Sequence, residues 1–256
     1  MKIISWNVNS LKIRHDQLID IINKYSPDVI SLQETKTQDD NFPTQSFLDL
    51  GYESIFTGQK TFNGVAIITK LPYQNVLLNI PNFHDEQKRF ISTEVDFNKQ
   101  KILIMNGYFP NGQSLDSDKF IYKQSWINAL LAFIKTKNTN SLLMGDFNIA
   151  PNDLDCHDPD KWTGTVLTSD IERNLFKEIE ECNFTDSYRH LNKIEPGFTW
   201  WDYRMAAFRR NLGLRIDHIL ASNNLINFLK DFTILSDYRK LERPSDHAPI
   251  MLTLSF

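Results

Sequence analysis

Short alternating apolar runs and stretches of helical periodicity take turns along the chain, and each change of period marks an element. KIISW, from Lys2 to Trp6, reads as a first strand. From Arg14 to Tyr25, Leu18, Ile21, Ile22 and Tyr25 recur at helical spacing, Pro27 ends the helix, and DVISLQ follows as a second strand. GYESIFTG and GVAIIT flank the polar QKTFNG, whose Asn63-Gly64 signals a tight turn and so a hairpin. RFISTEVDF and KILIMNGYF form another alternating pair around Asn98 to Gln100. Trp126, Leu130, Phe133 and Ile134 mark a helix from Lys119 to Lys135. SLLMGDF then reads as a strand, IERNLFKEIEECNF as an amphipathic helix, and RIDHIL and PIMLTLSF as closing strands. Hairpins mixed with helical crossovers predict an α/β fold with mixed sheets. With no tandem repeat, low-complexity tract or Pro/Gly/Ser linker, residues 1–256 are expected to form one domain.

One run does not fit a plain core strand. In LGLRIDHILAS, alternation puts Leu214, Ile216, His218 and Leu220 on one face and Arg215, Asp217 and Ile219 on the other. A carboxylate among Ile and Leu is costly unless something pairs with it. Either Arg215 and Asp217 form a structural pair at a strand end, or Asp217 holds another residue of a catalytic site.

Composition narrows the setting. No apolar stretch reaches the roughly 20 residues of a membrane helix. The early apolar run is too short for a signal peptide. Only Cys156 and Cys182 are present, so a reducing cytoplasm is expected. A net charge of -4 argues against a surface coated for tight nucleic-acid binding. Charge is uneven, however: YRMAAFRRNLGLR carries Arg204, Arg209, Arg210 and Arg215 with no acid among them, whereas acids crowd DLDCHDPD.

The candidate chemistry lies where apolar runs end. IISWN ends at Asn7, VISLQE at Glu34, ILIMNGY at Tyr108 and LLMGDFN at Asp146 and Asn148, while PSDHAPIML sets Asp246 and His247 just before a strand. Loops at strand ends on a rigid sheet can converge on one cleft. An oxygen-rich set of this kind suits a hard divalent cation such as Mg²⁺ or Mn²⁺. Cys/His zinc spacing and a phosphate-binding GxxxxGK[ST] loop are both absent. Singly, each residue has an ordinary reading: Asn7 and Asn148 as turn formers, Glu34 as surface charge, Asp146 as a turn, Tyr108 as a half-buried aromatic, His247 as a satisfied neighbour of a strand.

Together, WNVNSL, LQETK, NGYFPNG, GDFNIAP, GLRIDHIL and PSDHAPI closely resemble, in this order, the exonuclease III family of abasic-site endonucleases, over essentially the whole chain. GDFN or SDH alone marks only the wider superfamily that includes deoxyribonuclease I, sphingomyelinases and inositol-phosphate phosphatases. LQETK, FTWWDYR and GLRID are more specific to the DNA-repair branch. The resemblance implies two mixed sheets packed face to face with helices outside, a four-layer α/β sandwich of the deoxyribonuclease I kind. It implies Mg²⁺, with Mn²⁺ able to substitute, at Glu34, with Asn7 and Asp246 close by and Asp146, Asn148 and His247 around it. It makes Asp146, oriented by Asn148, the activator of water, sets His247 and Tyr108 on the phosphate, and makes Asp217 the partner of His247. Trp200, Leu214 and Ile216 would line an apolar pocket for a base-less sugar. Asn111 and the arginines Arg204, Arg209 and Arg210 would contact DNA, the alternative for the last three being a solvated basic loop. Position 218 varies among such proteins, so His218 is read as structural.

The expected activity is therefore metal-dependent cleavage of duplex DNA 5′ of abasic sites, with 3′–5′ exonuclease action and trimming of blocked 3′ ends. The expected protein is a monomer with no membrane partner. A phospholipid or inositol-phosphate phosphodiesterase on the same scaffold, and a non-catalytic DNA-binding module, are the competing readings.

Overall fold

A computed structural model describes residues 1–256. Its strands are β1 (Lys2–Asn7), β2 (Val29–Gln33), β3 (Glu53–Thr57), β4 (Val65–Thr69), β5 (Tyr73–Leu77), β6 (Phe90–Phe97), β7 (Gln100–Tyr108), β8 (Ser141–Asp146), β9 (Phe184–Asp186), β10 (Asp217–Ser222), β11 (Leu229–Ile234) and β12 (Ile250–Leu254). The helices are α1 (Leu11–Tyr25), α2 (Thr44–Leu48), α3 (Asp118–Ile134), α4 (Pro159–Trp162), α5 (Asp170–Glu181) and α6 (Ser187–Leu191).

Two six-stranded sheets result, in the orders β11-β12-β1-β2-β4-β3 and β5-β6-β7-β8-β10-β9. Each has one parallel pair, β1 with β2 and β7 with β8, joined through α1 and α3 respectively. The two orders correspond strand for strand, an internal repeat of topology that the residues themselves do not display. Ile3, Val29 and Ile67 of one sheet meet Ile104, Met144 and Ile219 of the other in the central core. On the outer faces, Ile4 and Trp6 pack with Leu18 and Ile22 of α1, and Met105 and Leu143 pack with α3 and α5. The mixed sheets, face to face with helices outside, are as expected.

Along the faces that look into the sandwich, residue type changes from one end to the other. β1 runs Ile3, Ser5, Asn7; β7 runs Ile102, Ile104, Asn106, Tyr108; β8 runs Leu142, Met144, Asp146. Just below the polar end, Gln33 Nε2 donates to Ser5 Oγ (3.1 Å) and across the sheets to Asn106 Oδ1 (2.8 Å), and Asn106 Nδ2 donates to the carbonyls of Leu32 and Ala66 (2.9 Å each). Buried amides that are bonded in this way lock the relative position of the two sheets. The polar end is therefore a rigid platform.

Three expectations are corrected. Asn63-Gly64 is not a tight turn: residues 58–64 all connect β3 to β4, and the carbonyls of Asn63 and Gly64 accept from the N–H groups of Lys36 and Thr35. The tight turn is Asn98-Lys99, where both residues have positive φ (48° and 64°) and Phe97 faces Gln100. The RIDHIL strand begins only at Asp217, and Arg215 does not share a face with it: Arg215 Nη1 lies 3.1 Å from His218 Nδ1, on the helix side. The arginine stretch is accordingly less basic on its surface than its residues suggest, because Arg215 is buried between Asp155 and Asp186 (2.7 Å each).

Candidate active site

The polar ends of the central strands deliver the candidate residues. Asn7 ends β1, Glu34 follows β2, Tyr108 ends β7 and Asp146 ends β8. Asp217, which opens β10, lies directly opposite Asp146 in the antiparallel register. Asp246 and His247 precede β12. Close approach of β7 and β8 depends on Gly145, whose φ is 141° and where a Cβ would fall 1.9 Å from the Gly107 carbonyl oxygen. Beyond the strands the chain turns sharply, with left-handed φ at Glu34 (51°) and Asn148 (50°). Such non-glycine positions cost energy and are held only where the surroundings over-determine them.

His247 is the hub. Its Nδ1–H donates to Asp217 (2.9 and 3.1 Å), and its Nε2 lies 3.7 Å from Asp146 Oδ2. Burial alone would lower its pKa, but the charges of Asp217, Asp146 and Asp246 outweigh that and push it up to about 10. The ring is therefore an imidazolium at neutral pH. Asp146 is held above the usual carboxylate range by burial and by the charges of Asp217 and Glu34. The Tyr108 phenol is raised well above its ordinary value by burial and by Glu34 and Asp146, so it is a proton donor here.

Around this line, Asn7 Nδ2 donates to both Glu34 Oε1 and Asp146 Oδ2 (2.9 Å each), while its Oδ1 accepts from the Asn9 N–H (3.0 Å). The Asn148 N–H donates to Asp146 Oδ1 (2.9 Å), and its side chain is fixed by Phe109 and Asn111 (3.0 Å each). Asp246 accepts from Trp200 Nε1 (3.0 Å) and Asn9 Nδ2 (2.9 Å). Burial would raise the Asp246 pKa, but the His247 charge and those two donors bring it below the usual value.

Glu34, Asp146 and His247 each offer a donor atom within 4.8 Å of the others. Two carboxylates at that spacing fit a hard divalent cation, whereas an imidazolium has no lone pair to give one. A cavity of about 300 Å³ opens beside them, with Leu167, Trp200 and Ile216 on its apolar side and Asn111 and Asn148 at its polar rim. Leu214 is fully buried behind that wall, in a cluster with Ala150, Cys156, Leu167 and Ile216.

The expected DNA-contacting arginines stand outside the cavity. Arg204 is exposed and paired with Asp202 (2.6 Å), and Arg209 borders a separate groove with Phe198, Trp201 and Phe208. Several site neighbours escaped the sequence reading. Lys36 Nζ lies 2.9 Å from Glu34 and donates to Asn9 Oδ1 (2.6 Å), and Leu167, at φ 78°, forms part of the cavity wall. Thr199 Oγ1 accepts from the N–H groups of Ile216 and Asp217 (3.1 Å each), and Ser245 Oγ donates to the Asn7 carbonyl (2.7 Å). Lys36 and Ser245 lie inside LQETK and PSDHAPI, where they could have been noticed. Thr199 likewise lies inside FTWWDYR, whereas Leu167 carries no local signal.

The sequence profile of the Endonuclease/Exonuclease/phosphatase family matches residues 4–247. The chain is 40% identical to the exodeoxyribonuclease III of Haemophilus influenzae over 262 aligned positions, covering 98% of each protein. Among solved structures, it superposes on the 3′ phosphatase NExo from Neisseria bound to product DNA hairpin with a TM-score of 0.97 at 41% identity, both chains covered fully. An AP endonuclease from Archaeoglobus fulgidus superposes with a TM-score of 0.95 at 31% identity, again over the whole of both chains.

Proposed function

Since the chain belongs to the Endonuclease/Exonuclease/phosphatase family, in the branch that holds exodeoxyribonuclease III, we propose that it is a DNA-repair phosphodiesterase acting on duplex DNA at abasic sites and at blocked 3′ ends. The observation that carries this reading is the line from Asp217 through His247 to Asp146 beside Glu34, with a small apolar cavity opening next to it.

We assign Glu34 as the principal holder of a divalent cation, with Asp146 adjoining it and Asn7 bridging the two acids. Mg²⁺ is the expected ion, with Mn²⁺ able to substitute, and when bound it supplies positive charge to a phosphate oxygen and to the departing 3′-oxygen. Asp146, oriented by the Asn148 N–H, accepts a proton from the attacking water. The His247 imidazolium, held by Asp217, and the Tyr108 hydroxyl donate to non-bridging phosphate oxygens, where charge builds as water attacks. Trp200 and Ile216 face a flipped sugar that lacks its base, which a small apolar space admits more readily than a nucleotide that keeps one. Arg204, Arg209 and Arg210 follow the phosphate backbone outside it.

An end-labelled duplex with one stable abasic analogue, incubated with Mg²⁺ or with chelator, tests this. One metal-dependent cut immediately 5′ of the analogue supports the full reading. A ladder shortening from the 3′ end instead assigns the activity to 3′ termini, and an intact duplex in both lanes overturns the reading.

A further inference from the structure

Lys123 on α3 and Glu172 on α5 form an ion pair in which neither side chain has any exposed surface. The Lys123 ammonium has three N–H donors and spends them on Glu172, the Asn148 carbonyl (2.7 Å) and the Asn111 carbonyl (3.3 Å). Glu172 in turn accepts from the Leu167 N–H (3.0 Å), the Ser169 N–H (3.1 Å) and the Ser169 hydroxyl (2.6 Å). One further bond closes the circuit, from the Ala150 N–H to the Leu167 carbonyl (2.7 Å). Asn111, Asn148 and Leu167 come from three separate segments, and all three line the cavity beside Asp146.

Stability alone does not account for such a pair. Desolvating two charges costs about as much as their attraction returns, and apolar groups of similar volume are often equally stable. What the pair supplies is a fixed relation among the groups it binds, and all of those but the Ser169 hydroxyl are backbone of a cavity-lining segment or its neighbour. We propose that Lys123 and Glu172 are positioning residues that set, together, where Asn148, Asn111 and Leu167 stand against Asp146. The inference rests on the reading of this cavity as the site of phosphodiester hydrolysis. The competing account is that the pair merely joins α3 to α5.

The test uses the double variant Lys123→Met/Glu172→Gln, which removes both charges and keeps an N3 residue able to complete the α5 capping box with Ser169. Two quantities are measured on the folded variant: amide hydrogen exchange, and steady-state kinetics on the abasic-analogue duplex with Mg²⁺. Exchange at Asn148, Ala150 and Leu167 is expected to quicken about tenfold or more, with β7 and β8 unchanged. The turnover number is expected to fall about tenfold or more while KM stays within about threefold. Unchanged exchange overturns the inference whatever the activity, and looser loops with wild-type turnover overturn it too. If the wild type itself fails to cut the duplex, the functional reading fails, and exchange alone decides the positioning role. Should the double variant not fold, Lys123→Arg, which keeps the charge and changes its donor geometry, carries the same two measurements.

Discussion

Asp217 opens β10 and His247 precedes β12 of the other sheet, yet the carboxylate of one holds the ring nitrogen of the other at 2.9 Å, with the far nitrogen left facing Asp146 at 3.7 Å. This buried hydrogen bond, with the one from Asn7 to Asp146, ties the two halves of the sandwich at the point where the chemistry is proposed. It also settles the puzzle of an acid in an apolar strand: Asp217 is paired, but with a histidine 30 positions on and not with Arg215.

Asp217→Asn tests the electrostatic half of that relationship. The amide oxygen can still accept from Nδ1, so the ring keeps its orientation, but the charge that stabilises the imidazolium is gone. Turnover on the abasic-analogue duplex is expected to fall about 100-fold or more, by analogy with triads that lose their acid, with the thermal midpoint moved only a few degrees. Near-wild-type turnover in a folded variant would reduce Asp217 to a structural role.

Cation binding should depend on Glu34 and on the amide that bridges it to Asp146. Asn7→Ala removes the donor that faces both acids, and its affinity for Mn²⁺ is expected to drop about tenfold. Glu34→Gln, which removes a ligand charge outright, should lose more. Calorimetric titration checks both, and an unchanged affinity in Glu34→Gln would place the ion elsewhere.

Filling the cavity separates its role from that of the acids. Ile216→Phe adds a ring to a wall of a space of about 300 Å³, next to Trp200 and Leu167. Cleavage at the abasic analogue is expected to fall about tenfold or more through KM, while Mn²⁺ affinity stays at the wild-type value. Equal cleavage by both proteins would mean that the sugar does not enter this space.

Much of the fold was legible in the sequence, and the misses share a cause. Every interior strand announces itself by a mainly apolar run, because both of its faces are buried for most of its length. The three strands that went unread, β5, β9 and β11, each lie at a sheet edge. YQNVL in β5 is exposed along most of its length, and β9 is three residues long, so neither has a face that must be apolar. Edge strands are kept polar or short because an apolar edge invites pairing with another chain. The polar residues at strand ends were legible for the opposite reason: Asn7, Glu34, Asp146 and Asp217 interrupt apolar runs where only a partner can offset their burial. What supports them was not. Lys123 sits in a helical pattern as an ordinary charged position, and its complete burial follows from three loops meeting above it.

Arg215 shows how much of the site depends on charges outside it. It lies between Asp155 and Asp186 and also bonds His218, just upstream of Ile216 and Asp217. Arg215→Met leaves two buried carboxylates without their principal cation. Removing one partner of a buried pair costs about 3–5 kcal/mol, and urea unfolding should show a loss of that order. A loss under about 1 kcal/mol would mean that Arg189, 2.6 Å from Asp155, takes over the pairing.

His218 should make the protein acid-sensitive for a reason separate from catalysis. The ring is fully buried against Phe147 and Phe176, its Nε2–H donates to the Ile149 carbonyl (2.9 Å), and its Nδ1 accepts from Arg215 (3.1 Å). Burial and the Arg215 charge pull its pKa down from 6.5 to about 4. The folded state therefore refuses a proton that the unfolded chain takes up once the pH falls below about 6.5. Stability from this residue is complete above that pH and is lost as the pH falls toward the folded value, by at most about 1.4 kcal/mol per pH unit. His218→Gln keeps an acceptor for Arg215 and a donor for Ile149 but does not titrate. Urea unfolding of both proteins between about pH 7 and about pH 4.5 should show the variant losing less stability on acidification than the wild type. Parallel acid limbs would show that another group, and not His218, governs the acid response.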